Sequence, residues 1–200
     1  MFLRPQFDES IHGFFIRVLF ALGLAKQAID LKGVISRHGV IRMVPRLTSH
    51  GAFIMDSLFV DDVYGLAIDH GKLNRIEVFC PEDLAGYIFL GDELPRFMRK
   101  DEVNKKTQLR YCPSCFSEQI REYGFSWFRL PWLSSVTCDI HNEYLSEVYQ
   151  STTKCCGSGS SILGCIRSAM SGVCVKCKND SWSFCYKVHI NSHLGSYHLL

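Results

Sequence analysis

Four residues constrain this chain more than any others. Cys112 and Cys115 form a Cys-x2-Cys pair, and Cys138 and His141 form a Cys-x2-His pair 22 residues further on. Each short spacing lets two side chains converge on one point. Two such pairs complete a tetrahedron of sulfur and nitrogen donors, which is the closed set a structural zinc ion prefers. Unliganded buried thiols leave both spacings unexplained. Pro113 favours the turn at the first pair, and the apolar spacer "FSWFRLPWL" supplies a small core around the metal. Phe125, Trp127, Phe128 and Trp132 in that spacer are candidates for partner anchors or for packing around the ligands.

The other cysteines follow the same logic. Ten are present, and nine lie after residue 111. A secreted disulfide scaffold spreads its cysteines through a short chain behind an export signal. The opening "MFLRPQFDES" lacks the basic, apolar and small-residue order of a signal peptide. Reduced, metal-bound thiols are the expectation. Cys174 and Cys177 form a second Cys-x2-Cys pair. Its partners are Cys155 and Cys156, the latter followed by Gly157, with Cys165 as the alternative ligand. Two zinc ions are therefore expected. "GSGSSILG" between these cysteines reads as a flexible tip. His189 and His193 lie four apart but lack the acidic residue of a zinc protease motif, and Cys185 is unassigned. Cys80 reads as a buried thiol.

Two hundred residues, 47% apolar and 21% charged, suit one large or two small folded domains. No apolar run reaches the ~18 residues of a spanning helix, so no membrane association is expected. The formal charge of +2 falls to about −1 once one three-cysteine and one four-cysteine zinc site are counted, because bound thiols are deprotonated. Bulk charge thus gives no case for non-specific DNA binding.

The N-terminal half reads as helices. Ile11, Phe14, Phe15, Val18, Leu19 and Leu22 repeat at helical spacing between a cap at Asp8 or Ser10 and a stop at Gly23. Ile16, Phe20 and Ala21 widen the apolar face, so this helix is an internal core helix or partly covered by a second copy in a homodimer. "AIDLKGVISRHG" reads as a short helix ending at Gly39. "AFIMDSLFVDDVYGLAIDHG" reads as two short helices turning near Val60–Asp61, with Val63, Leu66 and Ala67 inward, a helix-turn-helix-like pair. "CPEDLAGYIFLG" starts a helix at Pro81 and stops it at Gly91. Then comes a basic run in which Arg96, Arg99, Lys105 and Lys106 are candidates for phosphate contact. Arg42, Arg46, Lys72 and Arg75 are further candidates, in a region also rich in aspartate.

The expected fold is mainly α with small β: a helix-turn-helix-like helical module over 1–95, a basic linker over 96–110, a first zinc-binding module over 111–150, and a second with a tail over 151–200, the last two as tandem zinc ribbons or zinc fingers. The four ligands of the first site leave no open position for water. No deaminase H-x-E precedes the cysteines, and no phosphate-binding loop is present. A non-catalytic chain is expected. "CDIHNEYL" has a superficial likeness to a His-Asn nuclease motif, which keeps a zinc-containing nuclease as a minor alternative.

Several of these stretches taken together resemble the TniQ family of transposition proteins. The opening resembles the family's proline, Asp-Glu-Ser-aliphatic and arginine-bearing helix through Pro5, Asp8, Glu9, Ser10, Ile11 and Arg17. "VYGLAIDHG" looks like its helical region. Arg110, Cys112, Pro113, Cys115, Glu118, the aromatic spacer, Cys138, His141 and Leu145 resemble its zinc motif. The resemblance covers nearly the whole chain. It implies a bacterial, cytoplasmic target-selection adaptor in DNA transposition. Such a protein links an RNA-guided CRISPR effector ribonucleoprotein, Cascade or a single-protein effector, to the AAA+ regulator TnsC. The alternative is a direct reader of an attachment site in DNA. Longer members carry further DNA-contacting domains, so the short C-terminal part favours the adaptor.

Overall fold

The computed structural model describes residues 3–42, 44–69, 80–93, 107–149, 161–175 and 178. It is mainly helical with one small two-stranded sheet. Helix α1 spans Ile11–Ala21. Of the two candidate caps, Ser10 takes the role: its Oγ accepts a hydrogen bond from Gly13 N at 2.9 Å. Gly23 follows the helix in the left-handed conformation its lack of a Cβ permits, φ +68°. Every residue from Ile11 to Leu19 is buried by the chain's own elements, while Phe20 is half-buried and Ala21 exposed.

After α1 a single 3-10 turn, Ala28–Leu31, stands where a helix to Gly39 was expected. Gly39, at φ +81°, instead closes a turn whose flanks pair through Ile35 and Ile41. The helical pair forms as α2, Gly51–Met55, and α3, Val60–Asp69. The turn between them covers residues 56–59, just before the expected place, and Asp61 sits inside the first turn of α3. Val63, Leu66 and Ala67 face inward as their spacing requires.

Helix α4, Pro81–Ala85, starts on a proline with no amide to satisfy, and Glu82 and Asp83 complement its N-terminal dipole. It runs on as a π-helical turn, Gly86–Leu90, closed by Gly91 at φ +91°. Phe89 from that turn meets Phe15 of α1 edge to face at 5.7 Å. Gly51 lies against the same turn so closely that a Cβ there would overlap the Phe89 carbonyl.

Strand β1, Arg110–Tyr111, leads into helix α5, Pro113–Tyr123, and pairs antiparallel with β2, Ser146–Glu147. The register sets Arg110 opposite Glu147 and Tyr111 opposite Ser146. Helix α6, Ile162–Ser171, is capped by Ser161, whose Oγ accepts from Gly164 N at 3.2 Å. Residues 162–164 were expected in a flexible tip. They instead open this helix, because Ile162, Leu163, Ile166 and Ala169 form a buried helical stripe.

One hydrophobic cluster contains residues of α1, α3, α4, α5 and α6. The expected boundary between residues 1–95 and 111–150 is thus crossed by a shared core. Backbone bonds cross it too: Ser10 N donates to Phe128 O at 2.8 Å, and Leu130 N donates to Asp8 O at 2.6 Å. Phe128 and Trp132 are fully buried, where Phe116 meets their rings at 5.1 and 5.6 Å. They pack the interior and are unavailable as partner anchors. Phe125 stays partly exposed, next to Tyr123 and Trp127. Among the described residues no helix is long and apolar enough to cross a membrane.

Candidate metal centre

The two ligand pairs are delivered by different devices. Cys112 follows β1 in an extended conformation and holds the N-cap position of α5 without a side-chain capping bond, with Pro113 at the first helical position. Cys115 therefore lies in the first turn of α5. Cys138 and His141 occupy a tight turn. Asn142 adopts φ +54° there, its N–H donates to Cys138 O at 2.9 Å, and Thr137 pairs with Tyr144 below it. The β1–β2 pairing holds the helix start against this turn. The first pair is thus a strand-to-helix junction, where a zinc ribbon has a second hairpin.

The donor atoms of Cys112, Cys115, Cys138 and His141 all lie within 4.8 Å of one another. Cys115 Sγ is 3.5 Å from Cys138 Sγ. His141 Nδ1 is 3.5, 3.3 and 3.8 Å from the sulfurs of Cys112, Cys115 and Cys138. A tetrahedral zinc with bonds of about 2.3 Å to sulfur and 2.0–2.1 Å to nitrogen requires S···S of about 3.8 Å and S···N of about 3.6 Å. Those four separations stand within a few tenths of an ångström of the tetrahedral values, and every donor pair lies within 4.8 Å. The three cysteines are buried. These residues fit a divalent metal ion of zinc type, with all four tetrahedral positions filled by protein.

The surroundings orient the ligands. His141 turns Nδ1 to the sulfurs, so its proton belongs on Nε2, which faces Glu118 Oε1 at 3.1 Å. A carboxylate behind a ligating histidine fixes the ring and raises its basicity. Glu143 Oε2 lies 3.8 Å from Cys112 Sγ and accepts from Ser114 Oγ at 2.9 Å. Without metal the Cys112, Cys115 and His141 groups hold their protons unequally. The Cys112 thiol is pulled down to about 6, chiefly by its hydrogen bond with Cys115. Cys115 is pushed far up by the same bond and by burial. Burial lowers His141, but Cys138, Glu118 and Cys112 outweigh it and raise the imidazole to about 9. A bound dication reverses this pattern, because ligation deprotonates every thiol and requires the neutral imidazole face.

Behind the centre stands a residue that sequence reasoning passed over. Arg129 clamps Asp139, inside the Cys138–His141 turn, with two parallel hydrogen bonds of 2.7 and 2.9 Å. Its Nε donates to Asp8 Oδ2 at 2.6 Å. The Asp139 carboxyl is half-exposed; burial would raise it, yet the Arg129 bonds hold it below the usual range. One position on, Glu9 is 1% exposed and carries its own arginine: Arg17 Nε and Nη2 donate to its two oxygens at 2.9 and 2.6 Å. The only linear hint of Arg129 is a lone cation in an aromatic run.

Cys165 is buried in α6, and Cys174 lies beyond that helix. Lys178 adopts φ +59° and its N–H donates to Cys174 O at 2.9 Å. Asn142 makes the same bond to Cys138, so Cys174 opens the same kind of turn as the first site's second pair. Cys155, Cys156 and Cys177 lie outside the described residues, as do Arg96, Arg99, Lys105, Lys106, Lys72, Arg75, Cys185, His189 and His193. Among the described residues the first site is the one cluster able to hold a metal. Cys80, expected to be buried, is exposed and hydrogen-bonds Glu82, because it precedes the first turn of α4.

Compared with known proteins, the chain matches no family model, no curated protein and no solved structure.

Proposed function

We propose that this chain is a non-catalytic, zinc-stabilised adaptor for target selection in DNA transposition, of TniQ type. It links an RNA-guided CRISPR effector, or target DNA, to an AAA+ regulator of the TnsC kind. One observation carries the reading. The two stretches that bear the family resemblance, the Asp8-Glu9-Ser10 opening and the zinc motif, lie about 120 residues apart and meet through Arg129. Four motif positions have tasks in or beside that junction: Asp8 binds Arg129, Glu9 binds Arg17, Ser10 caps α1, and Glu118 orients His141. Motifs that build one unit support descent from a protein in which they were selected together.

The chemistry of the site supports a structural part for the metal. Four protein donors fill a tetrahedron, whereas a catalytic zinc keeps a position for water. His141 is engaged at both ring nitrogens, which counts against its use as the base a nuclease needs. A second zinc at Cys174 and Cys177, with Cys155 and Cys156 or Cys165, belongs to the same proposal, as does a bacterial cytoplasmic setting. The deciding experiment is a pull-down of the tagged, zinc-loaded chain with a reconstituted RNA-guided effector and the AAA+ regulator. Co-purification with both is expected. Recovery of neither, with tight sequence-specific DNA binding by the chain alone, selects the direct reader. Metal-dependent DNA cleavage lost in H141A with the fold intact refutes the adaptor.

A further inference from the structure

A cleft of about 460 Å³ opens on the N-terminal side of the molecule, away from the metal ligands. Its apolar floor includes the exposed Ile29 and the half-buried Val44, with the buried Leu19 of α1 and Ile54 of α2 also in the lining. Its walls carry Lys32, Arg42, Arg46 and His50. One acid, Asp30, also lines it, and its Oδ2 is occupied by the N–H groups of Lys26 and Gln27 at 2.9 and 2.7 Å. Among the described residues no carboxylate forms an ion pair with Lys32, Arg42, Arg46 or His50. The volume falls in the range of small-molecule sites, about 300–1,000 Å³.

The two arginines are held in place. Arg42 Nε donates to Lys32 O at 3.1 Å, and Arg42 O meets His12 Nε2 at 2.5 Å. Arg46 Nη2 donates to Gly91 O at 2.6 Å, and its guanidinium lies 5.1 Å from the Tyr87 ring centre. Arg46 N donates to Gly33 O at 2.9 Å, and a Cβ on Gly33 would overlap the Arg46 carbonyl. Exposed like charges normally relax by swinging apart into water. Here carbonyl bonds keep two guanidinium groups in one concavity with an ammonium beside them. Guanidinium groups match phosphate oxygens with paired hydrogen bonds. Two held guanidinium groups with an ammonium beside them call for a ligand carrying more than one negative charge, and the apolar floor calls for a flat or apolar body attached to it.

We propose that this cleft is a nucleotide-phosphate site. Lys32, Arg42 and Arg46 take the phosphates, and the base or sugar lies against Ile29 and Val44. The nucleotide is either free or the phosphorylated end of a strand. The site is independent of the metal centre and of the transposition reading. The test is calorimetric titration of the zinc-loaded chain with ADP, and separately with a 5′-phosphorylated oligothymidylate. Saturable binding is expected, weakened at least about ten-fold in both R42Q and K32Q and falling with salt. Thermal melts and zinc content of the variants, unchanged from wild type, exclude misfolding as the cause. Binding of ADP identifies a free nucleotide; binding of the phosphorylated strand alone identifies a strand end. No saturable binding of either probe, equal binding in wild type and variants, or tighter binding of a glutamate-rich peptide overturns the assignment.

Discussion

Replacing Arg17 with methionine leaves the Glu9 carboxylate inside the protein without its counter-charge. The pair is buried on both sides, with Glu9 side chain 0% and Arg17 10% exposed, so solvent screens it little. Arg17 gives Glu9 two hydrogen bonds, gives one to Arg4 O at 2.7 Å, and lies 5.4 Å and 5.3 Å from the rings of Phe14 and Phe125. Methionine keeps much of the apolar packing and none of the charge. Removing one partner of such a pair costs about 3–5 kcal/mol. For a chain of this size that lowers the melting temperature by about 6–20 °C. Burial already raises the Glu9 titration above its ordinary 4.5, against the pull of Arg17. Losing Arg17 raises it further. A carboxyl whose folded-state value is raised binds a proton in the folded form before the unfolded form does. Stability therefore falls as pH rises through that window and recovers as pH falls toward 4.5. The R17M deficit should be largest near neutrality and shrink in mild acid, where protonated Glu9 needs no cation. Urea unfolding followed by circular dichroism at several pH values measures this. The E9M/R17M double variant should regain most of the loss, since no orphaned charge remains. A deficit that does not change with pH, or a double variant no better than the single, refutes the ion-pair account.

Cys138→Ser removes one zinc per chain, measured by atomic absorption, and destabilises the fold by several kcal/mol, because binding energy at such a site is folding energy. Glu118→Gln keeps the ligands but weakens metal affinity by about 10–100-fold in a chelator competition, since the carboxylate behind His141 is lost. Asp139→Asn loses the charge in the Arg129 clamp and costs about 1 kcal/mol at neutral pH. Because the Asp139 carboxyl sits below its ordinary value, its contribution is present above about pH 4 and fades as pH falls, so wild type and variant converge in acid. Gly33→Ala forces the 33 and 46 backbones apart and costs about 1–3 kcal/mol by denaturant unfolding.

Much of this molecule was legible along the chain. The spacing of Cys112, Cys115, Cys138 and His141 names a metal set because two-residue loops leave little freedom in where the donors point. The Pro81 start and Gly91 stop of the α4 region follow from a missing amide and a missing Cβ, which are local properties. Helix α6 carried a readable signal in Ser161, Ile162, Leu163 and Ile166, masked by the glycines and serines just before it. Cys80 was misplaced because exposure depends on what packs over a helix start, and nothing in neighbouring residues states that.

What the sequence by itself determined is local: which segments coil, where they stop, and which four side chains can share a cation. Tertiary structure alone decided that the α1 opening and the metal turn are one assembly, that Glu9 is buried with Arg17, and that Arg42 and Arg46 share a cleft. The physical reason is range. Caps, turns and chelating pairs act within about four residues. An ion pair such as Arg129 with Asp8 forms only after a shared core has brought distant segments together, and that core forms because apolar surface of both halves leaves water at once.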